Sequence, residues 1–339
     1  MRLSIRLAGT PSQRELRGGV PNPARPMNAI GDNRGEEMKT FRHRRLEPMT
    51  RAPRASASVG AAERAPAPAR SLTRFREGRG DPLLLVHGLG LSWRSWKPVL
   101  GILSREHDVV ALDVPGFGAA PRLPHGRPTV AALTDAVEAD LDRAELGRVH
   151  VAGNSLGGWI ALELARRGRT ASVVALSPSG LENPVERIAV MSMNEVLRVR
   201  TLAAAPAATL LTADPVSRSA MLGGLHGRPW RVPAGDAAAE IRDFANAPGF
   251  HATLHATIGS TAPTGLSDIR VPVRICFGTR DLMLGRLTAP RFAAAIPGAE
   301  LVPLPGCGHV PMSDDPPLVA RAITDLTRTS RVDRTGPPR

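Results

Sequence analysis

Three side chains in this sequence have the types needed to make and break an acyl bond: Ser155, Asp281 and His309. Ser155 lies in Gly153-Asn154-Ser155-Leu156-Gly157-Gly158, a G-x-S-x-G motif. A serine hydroxyl is a poor nucleophile at its free pKa. It needs a base within hydrogen-bond reach and a third group to orient that base. His309, in Gly306-Cys307-Gly308-His309, can be the base, and Asp281, in Gly278-Thr279-Arg280-Asp281, the orienting carboxylate. Separated this widely in the chain, the three can act together only if the fold gathers them.

The flanking residues indicate how. Val149 to Ala152 is a short apolar run with β character, and helix periodicity follows through Leu156, Trp159, Ile160, Leu162 and Leu164, with Arg166 and Arg167 at the negative end of the dipole and Gly168 as cap. Ser155 therefore sits at a strand-to-helix turn, the context the motif requires. Gly153 and Gly157 leave room where a Cβ would meet the facing backbone. Leu72–Arg76, Pro82–His87, Val109–Leu112, Ser172–Leu176, Val271–Phe277 and Leu301–Val302 read as further strands. Helices are expected over Ser95–Leu103, from a Thr129 cap to Gly147, over Leu287–Ala295 and over Pro317–Thr327. Continuous apolar strands alternating with helices predict an α/β protein, a mostly parallel doubly wound sheet covered on both faces. Asp281 and His309 each follow a strand, so such a sheet brings all three residues to the carboxyl edge where sites form.

Residues 181–265 break the alternation. Their apolar members include Met191, Met193, Leu197, Leu202, Leu210, Leu211, Met221, Leu222, Trp230, Phe244 and Phe250, which read as a helical cap insertion with a subset lining an apolar pocket. The domain plan is then a basic, disordered extension over 1–70, a core over 71–180 and 266–328, the insertion, and a flexible tail over 329–339. Of the formal net charge of +13, 17 basic against 7 acidic residues place +10 within the first 80 residues. The basicity belongs to the extension, so no nucleic-acid partner is expected of the core. Neither a membrane span nor the apolar core of a secretory signal is present, and the two cysteines, Cys276 and Cys307, form no disulfide framework, so a cytoplasmic location is expected.

Together, His87-Gly88-Leu89-Gly90, Asp113-Val114-Pro115-Gly116-Phe117-Gly118, the Ser155 motif and the Asp281 and His309 segments resemble the α/β-hydrolase superfamily over about Ser71 to Thr327. The resemblance implies Ser155 as nucleophile, His309 as general base and later acid, Asp281 as its orienter, and the backbone N–H groups of Leu89 and Leu156 as the oxyanion hole. It implies supporting roles for His87, Gly88, Gly153 and Gly157, and no cofactor or metal. Asp113 is a rival orienting acid, but it precedes the nucleophile strand, and in the family its loop shapes the pocket. Asp314 and Asp315 follow His309 too closely to face it, Cys307 reads as a small loop residue, and His251 and His255 lack the glutamate of a zinc-protease motif.

Serine at the elbow, where haloalkane dehalogenases and epoxide hydrolases carry aspartate, argues against those branches. The leading expectation is hydrolysis of a small to medium apolar carboxylic ester. The alternatives are a thioesterase, a C–C bond hydrolase of a dioxo acid, whose carboxylate Arg198, Arg200 or Arg231 would anchor, and a ligand sensor with little turnover.

Overall fold

The computed structural model describes residues 70–330 and Val332, apart from Thr261 and Leu284. The expected extension before Arg70, and all but a few residues of the expected tail, lie outside the described residues. Seven strands form one sheet: β1 (Thr73–Glu77), β2 (Asp81–Val86), β3 (His107–Leu112), β4 (Val149–Asn154), β5 (Thr170–Leu176), β6 (Val273–Gly278) and β7 (Glu300–Leu304), in the order β1-β3-β2-β4-β5-β6-β7. Only the β1–β3 pair is antiparallel; the rest are parallel. The strands run longer than their most apolar cores because ladder pairing carries them on: β7 extends to Leu304 opposite Gly278.

Register is what places the site. Val86 of β2 lies opposite Gly153 of β4, Asn154 opposite Leu176 of β5, and Leu176 opposite Cys276 of β6. The carboxyl ends of β2, β4, β6 and β7 therefore emerge along one edge. Leu83, Leu84, Leu85 and Val86, all fully or almost fully buried, explain why these strands read as unbroken apolar runs: helices cover both faces.

The helices are α1 (Lys97–Leu103), α2 (Val130–Arg143), α3 (Leu156–Arg166), α4 (Pro184–Ala204), α5 (Ala208–Leu211), α6 (Pro215–Leu222), α7 (Ala234–Ala245), α8 (Phe250–Ile258), α9 (Gly285–Ala295) and α10 (Pro316–Thr329). Thr129 caps α2 through Ala132 N–H, as expected. Its end is not where the glycine suggested. The helix stops at Arg143, Glu145 takes the left-handed conformation (φ 55°), and Leu146 N–H bonds back to Leu141 C=O at 2.9 Å. Leu146 packs on the core, so the apolar contact sets the stop and Gly147 follows it. At the far end of the chain, α10 continues past Thr327 to Thr329.

The segment between β5 and β6 carries α4 to α8. α4 packs against α7, and Ala204, Ala208, Leu222, Val232, Ala237, Ala238 and Ile241 form a small core of their own. Among the described residues, no helix is long and apolar enough to cross a membrane, and no group of His, Cys, Asp or Glu could hold a metal ion.

Buried imidazoles give the fold an acid-sensitive stability. His150 on β4 is almost fully buried, and burial together with the neighbouring His107 pushes its pKa down to about 4. The folded chain then binds fewer protons than the unfolded chain between about pH 6.5 and 4, so this contribution is intact above pH 6.5 and lost as pH falls through that window. We expect the melting temperature to drop by several degrees across it, and the drop to be shallower in His150→Asn. Calorimetry at stepped pH checks this. The flattening is partial, because burial also lowers the pKa values of His87 and His107.

Candidate active site

Ser155 occupies the single residue between β4 and α3, with φ 55° and ψ −115°. A non-glycine residue there costs about 1–3 kcal/mol and is held only by its surroundings. Those surroundings are glycine-lined. A Cβ on Gly153 would stand 2.1 Å from Gly157 C=O, and one on Gly157 2.1 Å from Val86 C=O. β4, the elbow and β2 pack backbone to backbone, which turns the Ser155 side chain out into a cleft.

The cleft has an empty volume of about 720 Å³, including the open space at its mouth. Ser155 and His309 both line it, as do Gly88, Leu89 and Leu156. Its walls are mainly apolar: Leu91, Trp159, Val190, Leu225, Phe244, Leu254, Ile258, Met283 and Val310. Leu156 starts α3, where an N–H has no acceptor within its own helix and the dipole favours negative charge.

Asp281 and His309 meet. His309 Nδ1 lies 3.0 Å from Asp281 Oδ2, with both side chains almost fully buried. The Asp281 carboxylate also accepts from Met283 N–H at 2.8 Å and Gly285 N–H at 3.1 Å, so it is fixed as an acceptor at the mouth of α9. An ionised acceptor there keeps the imidazole proton on Nδ1 and leaves Nε2 as the basic nitrogen. Among the described residues, no hydrogen bond joins Ser155 to His309. In ligand-free enzymes such contacts commonly tighten only with substrate.

Asp113, the rival acid, is engaged elsewhere. It accepts from Arg74 Nε (3.2 Å), Trp93 N–H (2.9 Å) and Ala119 N–H (2.8 Å), far from the imidazole in its bonding. His87 is fully buried, with Nδ1 2.8 Å from Gly88 C=O and Nε2 accepting from Val114 N–H at 2.9 Å. It ties the turn carrying Gly88 and Leu89 to the loop after β3. Burial lowers its pKa, consistent with the neutral tautomer these two bonds require. Cys307 is buried, and burial with the charges of Asp314 and Asp315 pushes its thiol up to about 12, so it offers no thiolate.

Two features were not legible in advance. Asn154, the variable residue of the motif, donates from Nδ2 to Leu176 C=O at 3.2 Å and to His309 C=O at 2.8 Å, so the residue beside Ser155 holds the loop of His309. The only sequence signal was a polar residue ending a fully buried strand. The second is a correction. Arg198 donates to Phe244 C=O and to Ala247 C=O at 3.4 Å and lies 5.2 Å from the Phe250 ring centre, while Arg200 donates to Met221 C=O. Arg231 is exposed, facing a groove with Lys97 and Pro98. None of the three lines the cleft. Arg187, near the amino-terminal end of α4, does. Of the insertion's apolar residues singled out from sequence, Phe244 reaches the cleft; Leu197, Leu222 and Phe250 are core, and Leu202, Leu210 and Trp230 are exposed.

The fold agrees with the comparisons. Residues 83–322 match the model of the alpha/beta hydrolase family. The chain belongs to that family. Epoxide hydrolase EphH of Mycobacterium tuberculosis is 31% identical to this hydrolase over 210 residues, 58% of this chain and 94% of that one. The 2-hydroxy-6-oxo-2,4-heptadienoate hydrolase of Pseudomonas putida is 42% identical over 94 residues, 26% of this chain and 34% of that one. Among solved structures, an esterase from Thermogutta terrifontis superposes with a TM-score of 0.61 at 24% identity, covering 75% of this chain and 92% of that one, which speaks to the fold.

Proposed function

We propose that this hydrolase cleaves small to medium apolar carboxylic esters through an acyl-enzyme on Ser155. The observation that carries the reading is the buried Asp281–His309 hydrogen bond at 3.0 Å, in the same cleft as a serine on a strained, glycine-walled elbow. In the reaction, His309 Nε2 takes the Ser155 proton as Oγ attacks the ester carbonyl. The Leu89 and Leu156 N–H groups donate to the oxyanion, each such donor being worth about 10²–10³ in rate. Collapse expels the alcohol with the proton from His309. Water then attacks the acyl-serine by the same route, and the carboxylic acid and free Ser155 are restored.

The similarity to an epoxide hydrolase does not redirect this reading. Serine attack on an epoxide carbon would leave an ether, which a water activated by His309 does not cleave. Serine attack on an ester leaves an ester, which it does. The largely apolar walls argue for an apolar acyl group.

Val190 and Leu254 stand on the cleft wall contributed by α4 and α8. Val190→Phe is expected to move the optimum in a p-nitrophenyl ester series toward short chains. Acetate turnover should be little changed, while turnover of the longest acyl group accepted by the wild type should fall roughly tenfold or more. Unchanged chain-length preference would place the acyl group elsewhere.

One observation favours a second reading, hydrolysis of a C–C bond in a dioxo acid. Arg187 lines the cleft and, among the described residues, has no carboxylate partner; its Nη1 donates to Ile258 C=O at 3.1 Å and Ser260 C=O at 3.4 Å. A guanidinium so held could receive a substrate carboxylate. Turnover of a dioxo acid, lost in Arg187→Gln while neutral esters remain inert, would establish this reading over the first.

A further inference from the structure

The loop that carries His309 is held by the helical insertion as well as by the sheet. Leu225 to Arg228, between α6 and α7, cross directly over it. Leu225 C=O accepts from Val310 N–H at 3.0 Å. A Cβ on Gly308 would stand 2.4 Å from Gly227 N, and one on Gly227 2.4 Å from Gly306 C=O, so the two backbones touch where both residues are glycine. A third glycine, Gly278 at the end of β6, lies under the same crossing; its Cβ would meet Gly308 C=O at 2.2 Å.

One side chain closes this junction. Asp314 is fully buried and forms no ion pair with a side chain among the described residues. Its carboxylate accepts three backbone N–H groups: Gly308 at 2.7 Å and Gly227 at 2.9 Å on Oδ2, and Arg228 at 2.6 Å on Oδ1. One of these donors precedes His309 directly; the other two belong to the insertion. The Arg228 side chain adds bonds to Asp315 (3.0 Å), Asp314 C=O (3.2 Å) and Pro305 C=O (3.1 Å), and Arg280 Nη1 reaches Gly227 C=O at 3.0 Å from the loop of Asp281.

Charge-assisted hydrogen bonds to a buried carboxylate are strong and directional, and a buried N–H left without its acceptor costs about 1–3 kcal/mol. The His309 backbone is thus fixed from one side by Asn154 and from the other by Asp314. We propose that Asp314 is a positioning residue: it locks the insertion loop 225–228 to the His309 loop, so that the insertion sets where the imidazole stands between Ser155 and Asp281. This rests on the Ser155 hydrolase reading. It also makes the Leu225–Arg228 end of the insertion a fixed joint, since any swing there would unseat His309.

The test is made on Asp314→Asn, Asp314→Glu and Arg228→Met in the full chain, with Ser155→Ala as control. Active sites are counted with a fluorophosphonate that labels Ser155. For Asp314→Asn, kcat per labelled site should fall roughly 10²-fold, the scale of a 1 Å misplacement, with KM for p-nitrophenyl acetate almost unchanged. Asp314→Glu, which keeps a carboxylate, should recover part of the loss. The proton spectrum should carry a downfield Nδ1–H resonance of His309 in the wild type, broadened or lost in Asp314→Asn. A purely structural Asp314 would lower the melting temperature and the fraction of active sites while leaving kcat per site and that resonance at wild-type values; this result overturns the proposal. Should Asp314→Asn fail to fold, Arg228→Met decides: a several-fold fall in kcat per site supports the joint, and wild-type kcat overturns it. Turnover that survives Ser155→Ala refutes the hydrolase reading itself, which is a separate outcome.

Discussion

Replacing Ser155 with Ala is expected to lower ester turnover by at least about 10⁴-fold and to leave the fold intact. The magnitude follows from what the hydroxyl does. In the proposed mechanism no acyl-enzyme forms without it, and the remaining contribution is that of the oxyanion donors and of binding, which by themselves accelerate the reaction over water but do not replace the nucleophile. Folding should survive, because the Ser155 side chain makes no cap hydrogen bond and the elbow is packed backbone to backbone at Gly153 and Gly157. Alanine tolerates the left-handed conformation of residue 155 no better than serine, and removing one oxygen introduces no clash. A melting temperature within a few degrees of wild type, together with lost p-nitrophenyl ester hydrolysis, would assign the loss to chemistry.

Asp281→Asn is expected to have the second largest effect, a fall in kcat of about 10⁴-fold with KM little changed. The Asp281 carboxylate accepts from His309 Nδ1 and from the N–H groups of Met283 and Gly285. An amide can accept through one oxygen only. If its oxygen takes the Oδ1 place and serves Met283 N–H, its NH₂ takes the Oδ2 place against His309 and selects the tautomer with the proton on Nε2, the wrong nitrogen for taking the Ser155 proton. The imidazolium formed during the reaction also loses its buried counter-charge. A stopped or slow enzyme at neutral pH, with activity rising toward alkaline pH where hydroxide replaces the missing base, is the expected pH–rate profile. Asp113→Asn should not produce it, since Asp113 is bound to Arg74, Trp93 and Ala119 rather than to the imidazole.

The parallel sheet explains why so much of this could be read from the sequence. Each site residue follows an apolar run, and parallel pairing in register forces the ends of such runs to one edge. Ser155, Asp281 and His309 could therefore be placed on a common edge from their order and their flanks. The glycines at 153 and 157 were legible because a sharp turn between packed strands leaves no room for a Cβ. What escaped depends on contacts that no periodicity encodes. Asn154 and Asp314 act on the His309 loop through backbone groups remote in the chain or reached only by a fold-back. Asp314 follows His309 too closely to face the imidazole; its carboxylate instead holds the backbone beside it. The misplaced arginines have a related cause. α4 lies across the cleft with its amino-terminal half, so Arg187, Val190 and Asn194 look in, whereas Arg198 and Arg200 meet carbonyl groups at the end of α7 and α6. Helical spacing alone does not say how far along a helix the cleft extends.

The measurement that bears most directly on the account is intact-protein mass spectrometry of enzyme quenched in the first turnovers of a p-nitrophenyl ester, followed by peptide mapping. The account predicts one acyl group per chain, located on Ser155, formed at the rate of the nitrophenol burst and absent from Ser155→Ala. Steady hydrolysis with no acyl group on Ser155, or with the acyl group on another residue, would contradict it.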